Sequence, residues 1–298
     1  MRVGPYAIGT LDVIVEGIRR ADADGFPTVW THQAFGPDPF VAMAVAAPEA
    51  PRIEIGTALV PAILRHPQAL AAEALTVQAA TGGRLSLGIG MSHPHVVEGR
   101  LGLSYERPAE YMREYLEALL PLLRGEPAEV RGRRLTMIGG LDIGDVKAPP
   151  VLLGALAPLM LKLAGRLADG TITAGAGPRG LAEHIVPSVT KAAAAAGRPS
   201  PRIVAAVVVC ITDDPDAARR RIAATSKPYA SFPAFKAMLE REGVPSQVDV
   251  GIVGDEAYGR AKAQQLIDAG ATELAVREST GSPEEAERTR AFLRSLLG

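Results

Sequence analysis

Short runs of apolar and β-branched residues alternate along this chain with longer stretches in which apolar residues recur every three or four positions. RVGPY precedes a helical pattern over 10–24, PTVWT one over 38–48, RIEIGTALV one over 67–80, and RLSLGIG one over 108–124. PVLLGA then leads to 157–168, GTITA to 179–196, RIVAAVVVCIT to 214–242 and 255–269, and TELAVRE to a last helix from Pro283. Thr10 is placed to cap a face made of Leu11, Ile14, Val15 and Ile18, and Pro108 fits the first helical position before Tyr111, Tyr115, Leu119 and Leu122. The strands are apolar on both faces, as parallel strands covered by helices must be. About eight βα units in one order predict a TIM (β/α)8 barrel, residues 1–298 forming a single domain.

Two stretches break the rhythm and predict insertions after the fourth and seventh strands. EPAEVRGRRLTMI, 126–138, places Arg131-Gly132 between two short β-like runs and reads as a hairpin at the rim or over the mouth. Residues 226–250, with SKPYASFPAF, are too long for a simple connection and predict a helical excursion over the mouth or toward a partner subunit.

Composition narrows the partners. With 32 basic against 33 acidic residues and a formal net charge of −1, scattered rather than clustered, the chain has no electrostatic footprint for nucleic acid or an anionic membrane. The N-terminus enters a strand directly, and no apolar run reaches the roughly 18 residues that span a bilayer, so a soluble cytoplasmic protein acting on a small molecule is expected. Cys210, the single cysteine, sits in AAVVVCIT and reads as an inert core thiol, which excludes a disulfide framework.

Candidate chemistry gathers at the C-terminal ends of the strands, where a parallel barrel keeps its active site. RLSLGIGMSHP ends in Ser92 and His93, and Gly88 and Gly90 lack a Cβ, so backbone is expected to approach a flat ring closely here. His32 follows PTVWT and His66 follows the third strand; His66, before Pro67, fits a helix start, whereas His32 and His93 are either site residues or loop histidines bonded to backbone. TITAGAGPRG satisfies G-x-G-x-x-G at Gly175, Gly177 and Gly180, but after the sixth strand and without a later acidic partner, so the dinucleotide fold is excluded. The motif is either a phosphate seat made of backbone amides or a glycine turn at a barrel corner. The loop at Ala155 to Met160 supplies a second candidate seat, Leu159 and Met160 offering amides while their side chains, with Leu163, pack in the core. His93-Pro94-His95 lacks the carboxylates or cysteines of a metal centre, so no metal is expected.

IEIGTALVPAILRHP, GGRLSLGIGMSHP, YMREYLEALLPLL and PVLLGALAPLMLKLAGRLADGTIT together resemble the luciferase-like flavin and deazaflavin oxidoreductases, in particular the coenzyme F420-dependent branch. The resemblance runs through the chain in order. It implies a barrel of the bacterial luciferase-like type, with a deazaflavin across the mouth and a non-proline cis peptide at Ala58-Leu59. It implies ring contacts from Thr31, Met91 and Ser92, and a phosphate on the amides of Leu159, Met160, Gly175, Ala176 and Gly177. His32 matches a catalytic histidine of sugar-phosphate dehydrogenases in the family, whose partner glutamate is replaced here by His93; Ala174 stands where relatives often carry an aromatic. A hydride-transfer enzyme with His32 or His93 exchanging the proton is expected, as a homodimer; an FMN-dependent monooxygenase or a flavin-binding relative without turnover are the alternatives.

Overall fold

The computed structural model describes residues 1–226 and 232–297. Eight parallel strands form the barrel: β1 (Val3–Pro5), β2 (Thr28–Thr31), β3 (Glu54–Thr57), β4 (Leu85–Gly90), β5 (Val151–Gly154), β6 (Gly170–Ala174), β7 (Arg202–Ile211) and β8 (Glu273–Glu278). Pairing runs β1-β8-β7-β6-β5-β4-β3-β2. Just past β1, a parallel bridge from Tyr6 to Trp30 and the Ala7 N–H to Trp30 carbonyl bond, 2.8 Å, bring the two ends of this sheet together. The outer ring consists of α1 (Leu11–Ala23), α2 (Pro39–Ala46), α3 (Pro67–Ala80), α4 (Pro108–Leu123), α5 (Pro158–Leu167), α6 (Val186–Ala195), α7 (Pro215–Ser226), α8 (Pro233–Glu242), α9 (Glu256–Asp268) and α10 (Pro283–Ser295). No helix among the described residues is long and apolar enough to cross a membrane.

Local chemistry explains the helix starts. Proline, which has no N–H to leave unsatisfied, opens α2, α3, α4, α5, α7, α8 and α10. Asp38, Asp255 and Ser282 accept first-turn amides at 2.8, 2.8 and 3.2 Å. His66 does the same through Nδ1, 3.3 Å from the Gln68 amide, and its Nε2 lies 3.0 Å from the Thr136 carbonyl. Thr10 precedes α1 without a side-chain capping bond, so the expected cap is not made.

The first insertion is a two-stranded hairpin, Ala128–Arg131 paired antiparallel with Thr136–Gly139. It docks on the outside of the barrel, where the Glu114 carboxylate accepts the Arg133 amide at 3.0 Å and His66 meets Thr136. The second insertion carries the expected helical excursion at the mouth, α8; the helical stretch expected over 214–242 is thereby two separate helices, α7 and α8, followed by a short strand, Ile252–Gly254, alongside β7. Part of SKPYASFPAF, residues 227–231, lies outside the described residues.

Three layers fill the barrel. At its N-terminal end Arg2 and Arg202 each bridge Glu54 and Glu273, with Arg2 Nε 2.6 Å from Glu273 and Arg202 Nη1 2.6 Å from Glu54. Ser86 donates to Glu54 at 2.6 Å and Trp30 Nε1 to Glu273 at 3.0 Å. Burial by itself would raise the Glu54 carboxyl, but Arg202, the Ser86 hydrogen bond and Arg2 hold it below its ordinary value. Above this cluster, Trp30 packs with Leu152, Ile172, Val204 and Ala275. Its ring occupies the space a Cβ on Gly4 or Gly56 would take.

The third layer corrects an expectation. A Cβ on Gly88 would stand 2.0 Å from the Thr57 carbonyl and 3.1 Å from Leu59 Cδ2, one on Gly90 2.9 Å and one on Gly154 2.3 Å from Leu59 Cδ1. The bare backbone of β4 therefore admits Leu59 and the end of β3, not a ligand ring.

Glu273 is fully buried, so Glu273→Ala leaves two guanidinium groups with Glu54 as their one remaining carboxylate and strips Trp30 Nε1 of its acceptor, and it is expected to lower the unfolding free energy by about 3–5 kcal/mol in urea titration. Gly88→Ala drives a methyl into the Thr57 carbonyl, and a loss of roughly 3 kcal/mol is expected from the same measurement. Because Glu54 is held below its ordinary value, its stabilisation is present above the unfolded carboxylate range and is lost as pH falls through its folded value. Glu54→Gln should accordingly flatten the acid limb of stability against pH.

Candidate active site

The C-terminal mouth of the barrel opens into a cavity of about 850 Å³, its solvent-filled entrance included. Tyr6 comes from the end of β1, His32 from β2, Ala58 from β3, Ala174 and Gly175 from β6, and Arg277 from β8. Phe235 of α8 and Gln247 of the second insertion close one side.

The floor is set by the turn after β3, where the Ala58-Leu59 peptide bond is cis. Thr31 accepts the Ala58 N–H at 2.6 Å, Gln33 donates to the Leu59 carbonyl at 3.0 Å, and the Tyr6 hydroxyl donates to the Ala58 carbonyl at 3.2 Å. Burial pushes the Tyr6 phenol far above its ordinary value, Arg277 opposing, so Tyr6 is a proton-bearing donor at neutral pH. Its ring meets His32 edge-on with centroids 6.3 Å apart. His32 is shifted below its ordinary value, first by burial and then by the charge of Arg277, and is a neutral imidazole at pH 7.

His93 takes a different place. It stacks on Phe232 at 4.3 Å and contacts Phe235 at 5.9 Å, behind the cavity wall rather than on it. Burial, then His95, lowers its pKa. Ser92 adopts the left-handed conformation, φ 62°, which turns the chain off β4 toward this stack, and its carbonyl accepts from Tyr105 at 3.3 Å. Met91 is buried in the surrounding core, and Thr31, beyond Trp30 on the opposite face of β2, keeps a buried Oγ1 without a hydrogen-bond partner.

The two candidate phosphate loops are neighbours: His184, in the helical turns after Gly177, bonds the Leu156 carbonyl through Nε2 at 2.9 Å. Leu159 and Met160 lie in the first turn of α5, which has no side-chain cap; the Leu159 side chain is exposed rather than in the core, Met160 is half-buried and Leu163 is buried. Gly175 has φ +68° and could not carry a side chain without strain. At Gly177 and Gly180 the expected seat is filled from within the chain: the Glu242 carboxylate, at the end of α8, accepts the Gly180 N–H at 2.6 Å and lies 2.6–2.8 Å from where a Gly177 Cβ would be. A carboxylate is a stand-in for an anion at these amides, and Gln247 Nε2, buried without a partner over Gly175, is a further donor. Ala176 is buried against this turn. These groups fit the phosphate of a cofactor. No cluster of potential metal ligands occurs among the described residues.

Sequence reasoning missed Arg277, Gln247 and Glu242. For Arg277 a signal existed: ELAVRE carries charge at both ends of a central strand, where an apolar strand has no reason to place it.

The chain belongs to the luciferase-like monooxygenase family, whose profile matches residues 2–297. It is 31% identical over 220 residues to a Mycobacterium tuberculosis protein provisionally named a coenzyme F420-dependent oxidoreductase, covering 68% of this chain and 63% of that protein, so it spans less than two thirds of that relative. A 5,10-methylenetetrahydromethanopterin reductase of Methanolobus tindarius is 28% identical over 80% of this chain and 73% of its own. The F420-dependent tetrahydromethanopterin reductase structure of Methanopyrus kandleri superposes with a TM-score of 0.79 at 22% identity, covering 98% of this chain and 95% of its own, which establishes the shared barrel.

Glu242 competes with any phosphate for the Gly180 amide, and a charge-assisted hydrogen bond contributes about 1.5 kcal/mol or more. Glu242→Gln is expected to tighten binding of the phosphate-bearing flavin roughly tenfold in a fluorescence titration; unchanged affinity would place the phosphate elsewhere.

Proposed function

We propose that this protein is an F420-dependent oxidoreductase that transfers a hydride between the deazaflavin and a small organic substrate. The observation that carries the reading is the adjacency of an anion seat, Gly175 to Gly180, to a cavity holding a neutral imidazole and a protonated phenol. The names of the Mycobacterium tuberculosis relative and the Methanopyrus structure favour F420 over FMN.

In this reading the bound deazaflavin supplies or accepts the hydride, and the protein contributes position and proton exchange. Ala58 and Leu59 support the ring, the amides of Gly175, Ala176 and Gly177 with those of Leu159 and Met160 hold the phosphate, and Phe235 shields one side from water. His32, neutral and on the cavity wall, takes the substrate proton in the oxidative direction and returns it in the reductive one. Tyr6 fixes the Ala58 carbonyl and presents the second proton-bearing group. His93 packs behind Phe235 and holds α8 against the mouth.

Titration of the purified protein with F420 and with FMN tests the cofactor: saturable binding of F420 is expected, and binding of FMN alone sinks the reading. His32→Ala should lower kcat/KM by about 10²–10⁴, the usual worth of acid-base help. His93→Ala should cost no more than about tenfold by the same measure, well short of that contribution. Since His32 must be neutral to accept a proton and its pKa lies below 6.5, kcat/KM for substrate oxidation should stay level near neutrality and fall only as pH drops below that value. An acid limb centred above 6.5 would remove His32 as the base.

A further inference from the structure

Arg277 has no role in this scheme, yet among the described residues it is the only charged side chain on the cavity wall. Alternate residues of β8 face the barrel interior: Glu273 joins the ion cluster, Ala275 the Trp30 layer, and Arg277 the mouth. Its neighbour Glu278 points the other way, to Arg290 at 2.9 Å, and is not available to it.

Three other interior arginines are paired with carboxylates. Arg65 pairs with Asp38 and Glu73, Arg290 with Asp24 and Glu278, and Arg202 with Glu54 and Glu273. Arg277 is half-buried and makes no side-chain hydrogen bond or ion pair among the described residues, and no aspartate or glutamate lines the cavity. Removing a cation from water without a counter-charge or an acceptor is costly; even Arg84, which has no carboxylate partner among the described residues, donates to the Ala50 and Ile53 carbonyls at 2.7 and 2.6 Å, whereas Arg277 gains nothing structural from its place. Gln247, on the same wall, holds a second unpartnered donor, its buried Nε2.

We propose that Arg277 recognises an anionic group, and that the substrate is a small organic acid whose carboxylate pairs with this guanidinium. The inference rests on the reading of the cavity as the substrate site. A planar guanidinium receives a carboxylate through two parallel N–H···O bonds, which orients the rest of the molecule as well as binding it. The pairing also has a consequence for the proton. Arg277 is one of the two causes that keep His32 neutral. A carboxylate seated on it cancels that charge next to the imidazole, so an acid substrate makes His32 readier to take up a proton when it is in place.

Calorimetric titration of the cofactor-free, full-length protein with cinnamate and with cinnamamide, of matched shape and different charge, tests the assignment without any hydride transfer. The acid is expected to bind at least about tenfold more tightly than the amide. Arg277→Gln should abolish the difference and Arg277→Lys retain part of it, with the melting temperature of neither variant lowered, since no internal partner is lost. Equal binding of acid and amide, no binding of the acid at millimolar concentration, or a preference that survives Arg277→Gln overturns the proposal. The guanidinium could instead serve an acidic group of the cofactor, and a loss of F420 affinity of tenfold or more in Arg277→Gln would reassign it and overturn the substrate role. Failure of F420 to bind wild type would sink the hydride-transfer reading and leave the cinnamate result standing.

Discussion

The ion cluster of Arg2, Glu54, Arg202 and Glu273 is the constraint on which the barrel depends. It ties together β1, β3, β7 and β8, with Thr28 of β2 and Ser86 of β4 joined by hydrogen bonds. Six of the eight strands thus meet in one network at the N-terminal end. Each carboxylate is shared by two guanidinium groups, so no single charge is buried alone, and the network tolerates no register slip of the strands that supply it. Closing this end with polar groups leaves the other end as the place where the interior opens.

Above the cluster, volume is exchanged between neighbouring strands. Trp30 needs the missing side chains of Gly4 and Gly56, and Leu59 needs those of Gly88, Gly90 and Gly154. Each large residue is inserted from one strand and accommodated by its neighbours, which is how a barrel of eight short strands fills its interior with side chains. The same exchange sets the depth of the cavity. Leu59 is the last side chain of the packed interior, and everything above it, from Ala58 to Arg277, faces the mouth.

The mouth itself is electrostatically one-sided. Its wall carries a guanidinium, an amide donor, a phenol and a neutral imidazole, while the Glu242 carboxylate of α8 is engaged with the Gly180 amide. The charge of this wall is therefore set by Arg277, the glycine turn being occupied by the Glu242 carboxylate. α8 carries both Phe235, on the cavity wall, and Glu242, whose carboxylate accepts the Gly180 N–H.

The order of elements was legible in the sequence because it depends on local periodicity: all eight strands, the hairpin at Arg131-Gly132 and the proline helix starts other than Pro233 lie where the apolar pattern and the turn residues put them. Family motifs located the turn at Ala58-Leu59 and the glycine turn at 175–177, since both are contiguous in the chain. What the sequence could not determine was which residue takes the space beside each glycine, and there the reading of Gly88 and Gly90 as ligand contacts failed against Leu59. Nor could it separate His32 from His93: both follow strands, and only the packing of Phe232 and Phe235 puts one on the cavity wall and the other behind it. Arg277, Gln247 and Glu242 come to the mouth from β8 and the second insertion, far from the motifs in sequence. Their roles depend on which charges lack a partner in space, and pairing across so many residues is decided by the closure of the barrel, not by any local pattern.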